Sequence, residues 1–379
     1  MSSASPVKAR SQSSTDRLTL LAAGFLPQER FLRMLTLERK RTERSHQPFI
    51  LMMLESEELI TGAVTIEKVL ESLDSASRET DIKGWYRGSS VIGVLFTELG
   101  GSEASSAVTT LSRKVATALG RTLTSDQLEE IRLSFHVYPE NWESDGTGGS
   151  ADPALYADLV AGADMKKTAR LAKRIMDIAG SASALILLSP VLAALAVVIK
   201  LTSKGPVLFK QTRIGQYGRR FTFLKLRSMY ETEDHRLHEE YVKRLIAGKG
   251  VDEHGAESQQ VAYKLTNDPR ITPFGKFLRK TSLDELPQFL NVLRGEMSLV
   301  GPRPPIPYEF KAYELWHRRR LLMVKPGITG LWQVEGRSRV KFNDMVRLDL
   351  AYASSWSLWM DLKILLRTPG AVLSGSGAY

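Results

Sequence analysis

A run of 22 residues without a single charge, Ile178–Ile199 (IAGSASALILLSPVLAALAVVI), constrains this chain more than any other feature. At about 1.5 Å per residue a straight helix of that length reaches roughly 33 Å, enough to cross the hydrocarbon core of a bilayer. A buried helix of a soluble domain is the alternative, but few such helices are apolar on every face for six turns. Basic residues flank the run on both sides: Lys166, Lys167, Arg170, Lys173 and Arg174 before it, Lys200 and Lys204 after it. A straight crossing would concentrate the basic excess on one side. Near the middle, Pro190 lacks the N–H that would bond the Ile186 carbonyl, and the Ser189 hydroxyl is available to that carbonyl instead. Both observations predict a helix that dips in, breaks and returns to the face it came from, with a straight crossing as the alternative.

The run also divides the charge. Residues 1–165 hold 17 basic and 23 acidic side chains, whereas residues 166–379 hold 35 and 19, a balance of −6 before and +16 after. An anionic partner is therefore expected for the second part only: acidic lipid, a phosphorylated substrate or nucleic acid. The chain has no cysteine, which removes disulfides, thiolate metal sites and cysteine nucleophiles together. His235 and His238, the only close histidine pair, fall in a charged stretch that reads as a solvated helix face. The length of 379 residues suits two domains with connectors.

The sequence predicts a polar tail over 1–24, with no cleavable signal peptide, and an α/β domain over 25–142. Its strands are expected at Phe49–Leu54, Val91–Phe96 and Leu133–Tyr138. A Gly/Ser/Asp-rich linker follows over 143–165, then an interfacial and membrane helix over 166–203 and a globular part over 204–379. Residues 153–177 read as helical and grow more basic toward the apolar run, as an interfacial helix should.

In the basic part, Val207–Phe209 and Phe221–Leu226 read as strands around a turn at Gly215–Gly218, placing Lys225 and Arg227 on a strand or at its end. A polar stretch over 230–262 reads as an exposed helix. Further on, Asp284-Glu285 precedes Leu286-Pro287-Gln-Phe-Leu-Asn-Val-Leu-Arg294 and Gly295. Pro287 suits only a first helical turn and Gly295 suits the position just past the end, so the acids fall at a helix N-terminus. On spacing alone they read first as caps, since Ser282-x-x-Glu285 spells a capping box. That positive helix end, with Arg279 and Lys280 nearby, would equally hold a phosphate, and adjacent carboxylates beside a phosphate suit Mg²⁺ binding and attack on phosphorus. Ser298-Leu-Val-Gly-Pro-Arg-Pro304 forms a rigid turn presenting Arg303, and Lys325-Pro-Gly-Ile-Thr-Gly-Leu-Trp-Gln-Val-Glu-Gly-Arg337 supplies glycines, Trp332 and Arg337. Planar arginines on rigid loops suit a nucleotide diphosphate.

From about residue 166 to 379 the sequence resembles the bacterial sugar transferase family, the monotopic polyprenyl-phosphate phosphoglycosyl transferases. The matching residues are Lys173-Arg174-x-x-Asp177, Ser189-Pro190, Gly205-Pro206, Phe209-x-Gln-x-Arg213-x-Gly215, Lys225-x-Arg227-Ser-Met229 and Thr266-x-Asn-Asp-x-Arg-Ile-Thr272. They continue through Ser282-Leu-Asp-Glu-Leu-Pro-Gln288, Gly301-Pro-Arg-Pro304, Lys325-Pro-Gly-Ile-Thr-Gly330, Asp361 and Gly377-Ala378. The resemblance implies an α+β, mainly helical, monotopic catalytic domain with a re-entrant helix, on the cytoplasmic face of a bacterial inner membrane. It implies transfer of a sugar-1-phosphate from a UDP-sugar to undecaprenyl phosphate with release of UMP, at the start of exopolysaccharide, capsule or O-antigen synthesis. Asp284 would be the nucleophile, forming an aspartyl-phosphosugar intermediate, and Glu285 would hold Mg²⁺ with Asp284 close to the same ion. Lys225, Arg227, Arg279, Arg303 and Arg337 would bind the substrate. Lys173, Arg174, Asp177, Ser189 and Pro190 would order the membrane junction. No nucleic-acid partner is expected, since no aromatic-interleaved basic platform accompanies the charge.

The N-terminal part resembles a degenerate GGDEF-type cyclase domain. Asp81–Leu95 lies where that family has its signature hairpin, but Arg87, Gly88, Ser89, Ser90 and Val91 occupy the five signature positions. Without acids at Ser89 and Ser90, cyclase chemistry is not expected, and a regulatory or homodimerising module is. Arg78-x-x-Asp81 has the spacing at which active relatives bind cyclic di-GMP, and also that of ordinary surface charge.

Overall fold

In the computed structural model, the described residues are 24–56, 63–88, 90–99, 104–140, 151–156, 167–230, 246, 270–335 and 341–373. The chain divides into two compact units, one holding residues 1–140 and 152–162, the other 141–151 and 163–379. The expected helix over 230–262, with His235 and His238, falls almost wholly outside the described residues, as do Arg337 and Gly377-Ala378.

The first unit opens with helix α1 (Gln28–Ser45) and continues as β1 (Phe49–Glu55), α2 (Ala63–Ala76), β2 (Ile82–Arg87), β3 (Val91–Phe96), α3 (Ala104–Thr122), α4 (Ser125–Glu129) and β4 (Arg132–Tyr138). The three expected strands are present within one residue of their predicted bounds. The sheet order is β2-β3-β1-β4, with every pairing antiparallel. From β1 onward this is the βαββαβ arrangement, in which two helical crossovers bring a split pair of strands together. Central β3 is buried along its whole length, as an apolar run between two neighbours should be, and it shares one core with Leu73 of α2 and Leu119 of α3. The expected hairpin is present, turning at Gly88 with φ +52°. The Asp81 carboxylate accepts the Arg78 backbone N–H at 2.7 Å, and the Arg78 guanidinium donates to the Glu98 carbonyl. Buried Asp81 therefore closes a turn, and the cyclic di-GMP reading of this pair finds no support. Of the helix expected over 153–177, residues 167–177 are helical, 157–166 lie outside the described residues, and Pro153–Tyr156 form a 3₁₀ turn with Tyr156 donating to Glu140.

The second unit begins with α5 (Lys167–Thr202), a 36-residue helix, followed by the antiparallel pair β5 (Leu208–Ile214) and β6 (Arg220–Leu226). Then come α6 (Pro273–Thr281), a 3₁₀ turn at Leu283–Glu285, α7 (Gln288–Leu293), β7 (Ser298–Val300), α8 (Pro307–Lys311), α9 (Leu315–Met323), β8 (Gly327–Thr329), α10 (Leu331–Glu335), α11 (Phe342–Ser355) and α12 (Leu358–Leu373). Strands β7 and β8 pair in parallel. Their backbones approach so closely that a Cβ on Gly327 would lie 2.0 Å from the Gly301 nitrogen.

Helix α5 carries the apolar run, with a mean hydropathy of 2.6 in its most apolar window, of which only 11% is buried. Ile186 and Leu187 are more than 70% exposed, so this is not the core helix of a soluble domain. The helix runs as one element with Pro190 inside it, where the proline removes one backbone hydrogen bond and permits a bend without ending the helix. The Ser189 hydroxyl donates to the Ile186 carbonyl at 2.8 Å, the acceptor that proline leaves unserved. Both ends of α5 are fastened to the same unit. At the first, the Lys173 ammonium donates to Asp361 (2.6 Å) and to the Val300 carbonyl (3.1 Å). Arg174 caps α7 through the carbonyls of Val292 and Leu293, and Asp177 accepts from the Ser298 hydroxyl and the Leu299 N–H. At the other end, Leu195 and Ile199 share a core cluster with Leu226 and with Leu278 of α6.

Candidate active site

The two acids owe their placement to a change of hand in the backbone. Ser282 ends α6 in the left-handed region (φ 56°, ψ 18°), with its N–H on the Leu278 and Arg279 carbonyls. A residue so placed cannot hold the extended N-cap conformation, and its side chain makes no cap bond. The expected capping box is therefore not formed, and the acids occupy a 3₁₀ turn of their own ahead of α7. Pro287 sits at the N-cap of α7, and Gly295, at φ +81°, follows the C-cap residue Arg294 as expected.

Asp284 is 5% exposed, an environment in which an unpaired carboxylate would be costly. Lys225, projecting from β6, answers it: its ammonium lies 2.9 Å from Glu285 Oε1 and 3.5 Å from Asp284 Oδ2. The strand is positioned by Asn291 of α7, fully buried, which accepts the Leu224 N–H and donates to the Thr222 carbonyl and to Glu296. Asn291 thus ties the segment that carries the acids to the strand that carries the lysine. Sequence reading missed it, although an amide set within the apolar stretch Phe289–Leu293 was the available signal. Gln288, 2% exposed and one turn beyond the acids, holds an amide nitrogen without a hydrogen-bond partner among the described residues.

The remaining expected substrate residues divide. Arg279 lies in the last turn of α6, within a few residues of the acids. Arg303 stands on the extended segment after β7, whose neighbours are pinned by Arg213 on the Pro304 carbonyl (2.8 Å) and by the Gly327 N–H on the Pro302 carbonyl (2.9 Å). Arg227 is placed otherwise: its guanidinium donates to the Ser203 carbonyl and hydroxyl and tethers the end of α5. Arg337 lies outside the described residues.

Leu283, immediately before Asp284, packs with Phe274 and Leu192 against the cluster containing Leu195 and Ile199 of the apolar run. The residue before the acid pair thus belongs to the same apolar cluster as the last turns of the membrane-length helix. The bacterial sugar transferase family matches residues 168–375, more than half of the sequence. The chain belongs to this family. It is 46% identical over 209 residues to the galactosyl transferase CpsE of Streptococcus agalactiae, covering 55% of this chain and 43% of that one. With the undecaprenyl-phosphate galactose phosphotransferase of Salmonella typhimurium it shares 43% over 215 residues, covering 56% and 43%. With the exopolysaccharide production protein ExoY of Rhizobium meliloti it shares 40% over 212 residues, covering 55% and 88%. The chain thus spans about half the length of the first two relatives. A solved DGC protein from Thermotoga maritima aligns with 31% of this chain and 83% of its own, at 15% identity and a TM-score of 0.24, which leaves the nature of the first unit open.

Proposed function

We propose that the second unit transfers a sugar-1-phosphate from a UDP-sugar to undecaprenyl phosphate, releasing UMP, and so initiates synthesis of a surface polysaccharide. The observation that carries this reading is the buried Asp284 beside Glu285 and Lys225, following a residue that shares an apolar cluster with the end of the apolar helix. A water-soluble donor and a lipid acceptor must meet at one phosphorus, and an acid pair beside the apolar cluster that receives the end of a membrane helix is where they can.

In this reading an Asp284 carboxylate oxygen attacks the β-phosphorus of the donor, the bond from that phosphorus to the bridging oxygen breaks, and UMP leaves with the bonding electrons. The acceptor's phosphate oxygen then attacks the same phosphorus and frees the Asp284 carboxylate. UMP is a stable anion, so the protein's work is alignment and charge neutralisation rather than strong acid catalysis. Lys225 holds the two carboxylates in place before the donor arrives, and Arg279 and Arg303 supply further positive charge. The unpartnered Gln288 donor suits a phosphate oxygen close to the acids.

Two carboxylates are too few for a protein-only metal cage, and no larger group of ligands occurs among the described residues. They fit Mg²⁺, which takes one or two carboxylates and completes its shell from water and substrate phosphates. Asp284 and Glu285 would hold it, and when bound it supplies neutralisation of the diphosphate charge.

The same reading includes a re-entrant α5 on the cytoplasmic face of the inner membrane. One compact unit cannot lie on both sides of a bilayer, and residues 173–177 and 195–203 are both fastened to it. The testing assay is turnover in nanodiscs with undecaprenyl phosphate, Mg²⁺ and a panel of UDP-sugars, scoring UMP and UDP separately. Lipid-dependent UMP release, abolished in a folded Asp284→Asn variant, is the expected result. UDP release, or substantial activity in the variant, would refute the mechanism.

A further inference from the structure

The foot of α5 holds a cluster of positive charge that the transfer chemistry leaves unused. Lys173, Arg174 and Lys325 gather there, and the first two have partners: Lys173 on Asp361 and the Val300 carbonyl, Arg174 on the last carbonyls of α7. The Lys325 ammonium has no hydrogen bond or ion pair among the described residues. Lys325 is half-buried, and its pKa is lowered by that burial and by the Arg174 and Lys173 charges, which the Asp177 carboxylate offsets only in part. Packing like charges around an unpaired ammonium is unfavourable unless something anionic completes the arrangement.

The geometry marks the place. Measured from the point where a Cβ on Gly295 would stand, Arg174 Nη2 lies at 3.5 Å and Lys325 Nζ at 3.7 Å. Gly295 takes φ +81°, so the position favours glycine, and the Arg174 and Lys325 side chains meet over a backbone that carries no side chain of its own. Two cations converging on one opening match the oxygens of a phosphate group. The opening lies at the C-terminal end of α7, while the acids lie ahead of its N-terminal end, so it is separate from the transfer site. It also lies beside Lys173, Arg174 and Asp177, directly before the apolar run, and basic residues next to a membrane segment attract anionic headgroups.

We propose that Arg174 and Lys325 bind a phosphate group above Gly295, and that it belongs to the headgroup of an anionic phospholipid. The assignment rests on α5 lying in the membrane but not on the transferase reaction, and its test does not measure turnover. The full chain would be placed in nanodiscs of phosphatidylcholine with or without phosphatidylglycerol, and its lysines reductively methylated and read by mass spectrometry. Lys325 should react about tenfold more slowly when phosphatidylglycerol is present, while exposed Lys210 on β5 reacts equally in both. Inorganic phosphate added to phosphatidylcholine discs should not protect Lys325; if it does so equally well, the site takes free phosphate and the lipid assignment fails. Equal Lys325 reactivity under all conditions overturns the site altogether. Independently, native mass spectrometry should find one more retained phosphatidylglycerol on the natural chain than on Lys325→Gln, and equal numbers would contradict the proposal.

Discussion

Replacing Lys173 by methionine tests how the membrane helix is joined to the catalytic unit. Lys173 is 14% exposed and Asp361 is fully buried, with 2.6 Å between ammonium and carboxylate. Removing one partner of a buried pair costs about 3–5 kcal/mol, because the other charge is left without compensation. Here the Tyr352 hydroxyl and the Trp356 indole still donate to Asp361, at 2.6 and 3.0 Å, so the lower end, about 3 kcal/mol, applies. For a unit of roughly 200 residues this lowers the melting temperature by about 6–12 °C. The assay is the tryptophan-fluorescence melt in nanodiscs, with Lys173→Met, Asp361→Asn and the double variant in parallel. The double variant removes the stranded charge and should melt above Lys173→Met alone, giving a favourable coupling energy. A Lys173→Met melt within about 1 °C of the natural chain, or a double variant as unstable as the summed singles, would refute the reasoning.

Lys225→Met should lower kcat by about 100-fold, with a smaller effect on folding, because it removes a cation bonded to both acids; turnover beside a melting curve separates the two. His317 is buried, its Nδ1 accepts the Glu314 N–H and its Nε2 faces Asn343, and burial lowers its pKa to about 4. The unfolded chain therefore binds the extra proton first as pH falls below 6.5. The His317 contribution is complete above pH 6.5 and is lost between 6.5 and 4, by up to about 3 kcal/mol. Buried Asp349, raised to about 6 against the Arg320 charge, acts with the opposite sign between pH 3.8 and 6, so the informative quantity is the difference between the natural chain and His317→Gln. That difference should grow as pH rises from 4 to 6.5, and a flat difference would contradict the buried neutral imidazole. Finally, the chain has no cysteine, so single cysteines at Arg170 and Lys204 can be labelled cleanly. A re-entrant α5 exposes both to a membrane-impermeant reagent on the same face, whereas labelling from opposite faces would favour a straight crossing.

Much was legible in the sequence because it depends on near neighbours. An uncharged run of 22 residues needs an apolar surrounding whatever else the chain does, and Pro190 must leave the Ile186 carbonyl to Ser189, three positions later. Alternation and apolar runs placed the strands, since they report which faces are buried. Gly295 past the end of α7 followed from the left-handed conformation that only such a position asks for. Tertiary structure decided what local spacing left ambiguous. Ser282-x-x-Glu285 has capping-box spacing, but the turn out of α6 puts Ser282 in the left-handed region and removes the cap. Lys225 reaches the acids across some 60 residues of sequence, while Arg227, two positions further on, turns to the end of α5. Alternation along a strand cannot say which neighbour each side chain will meet. Arg174 on the α7 carbonyls, Asn291 on β6 and Lys173 on Asp361 are likewise pairings between distant segments. Their geometry exists only once packing has brought those segments together, because nothing in the local sterics of either partner encodes the other.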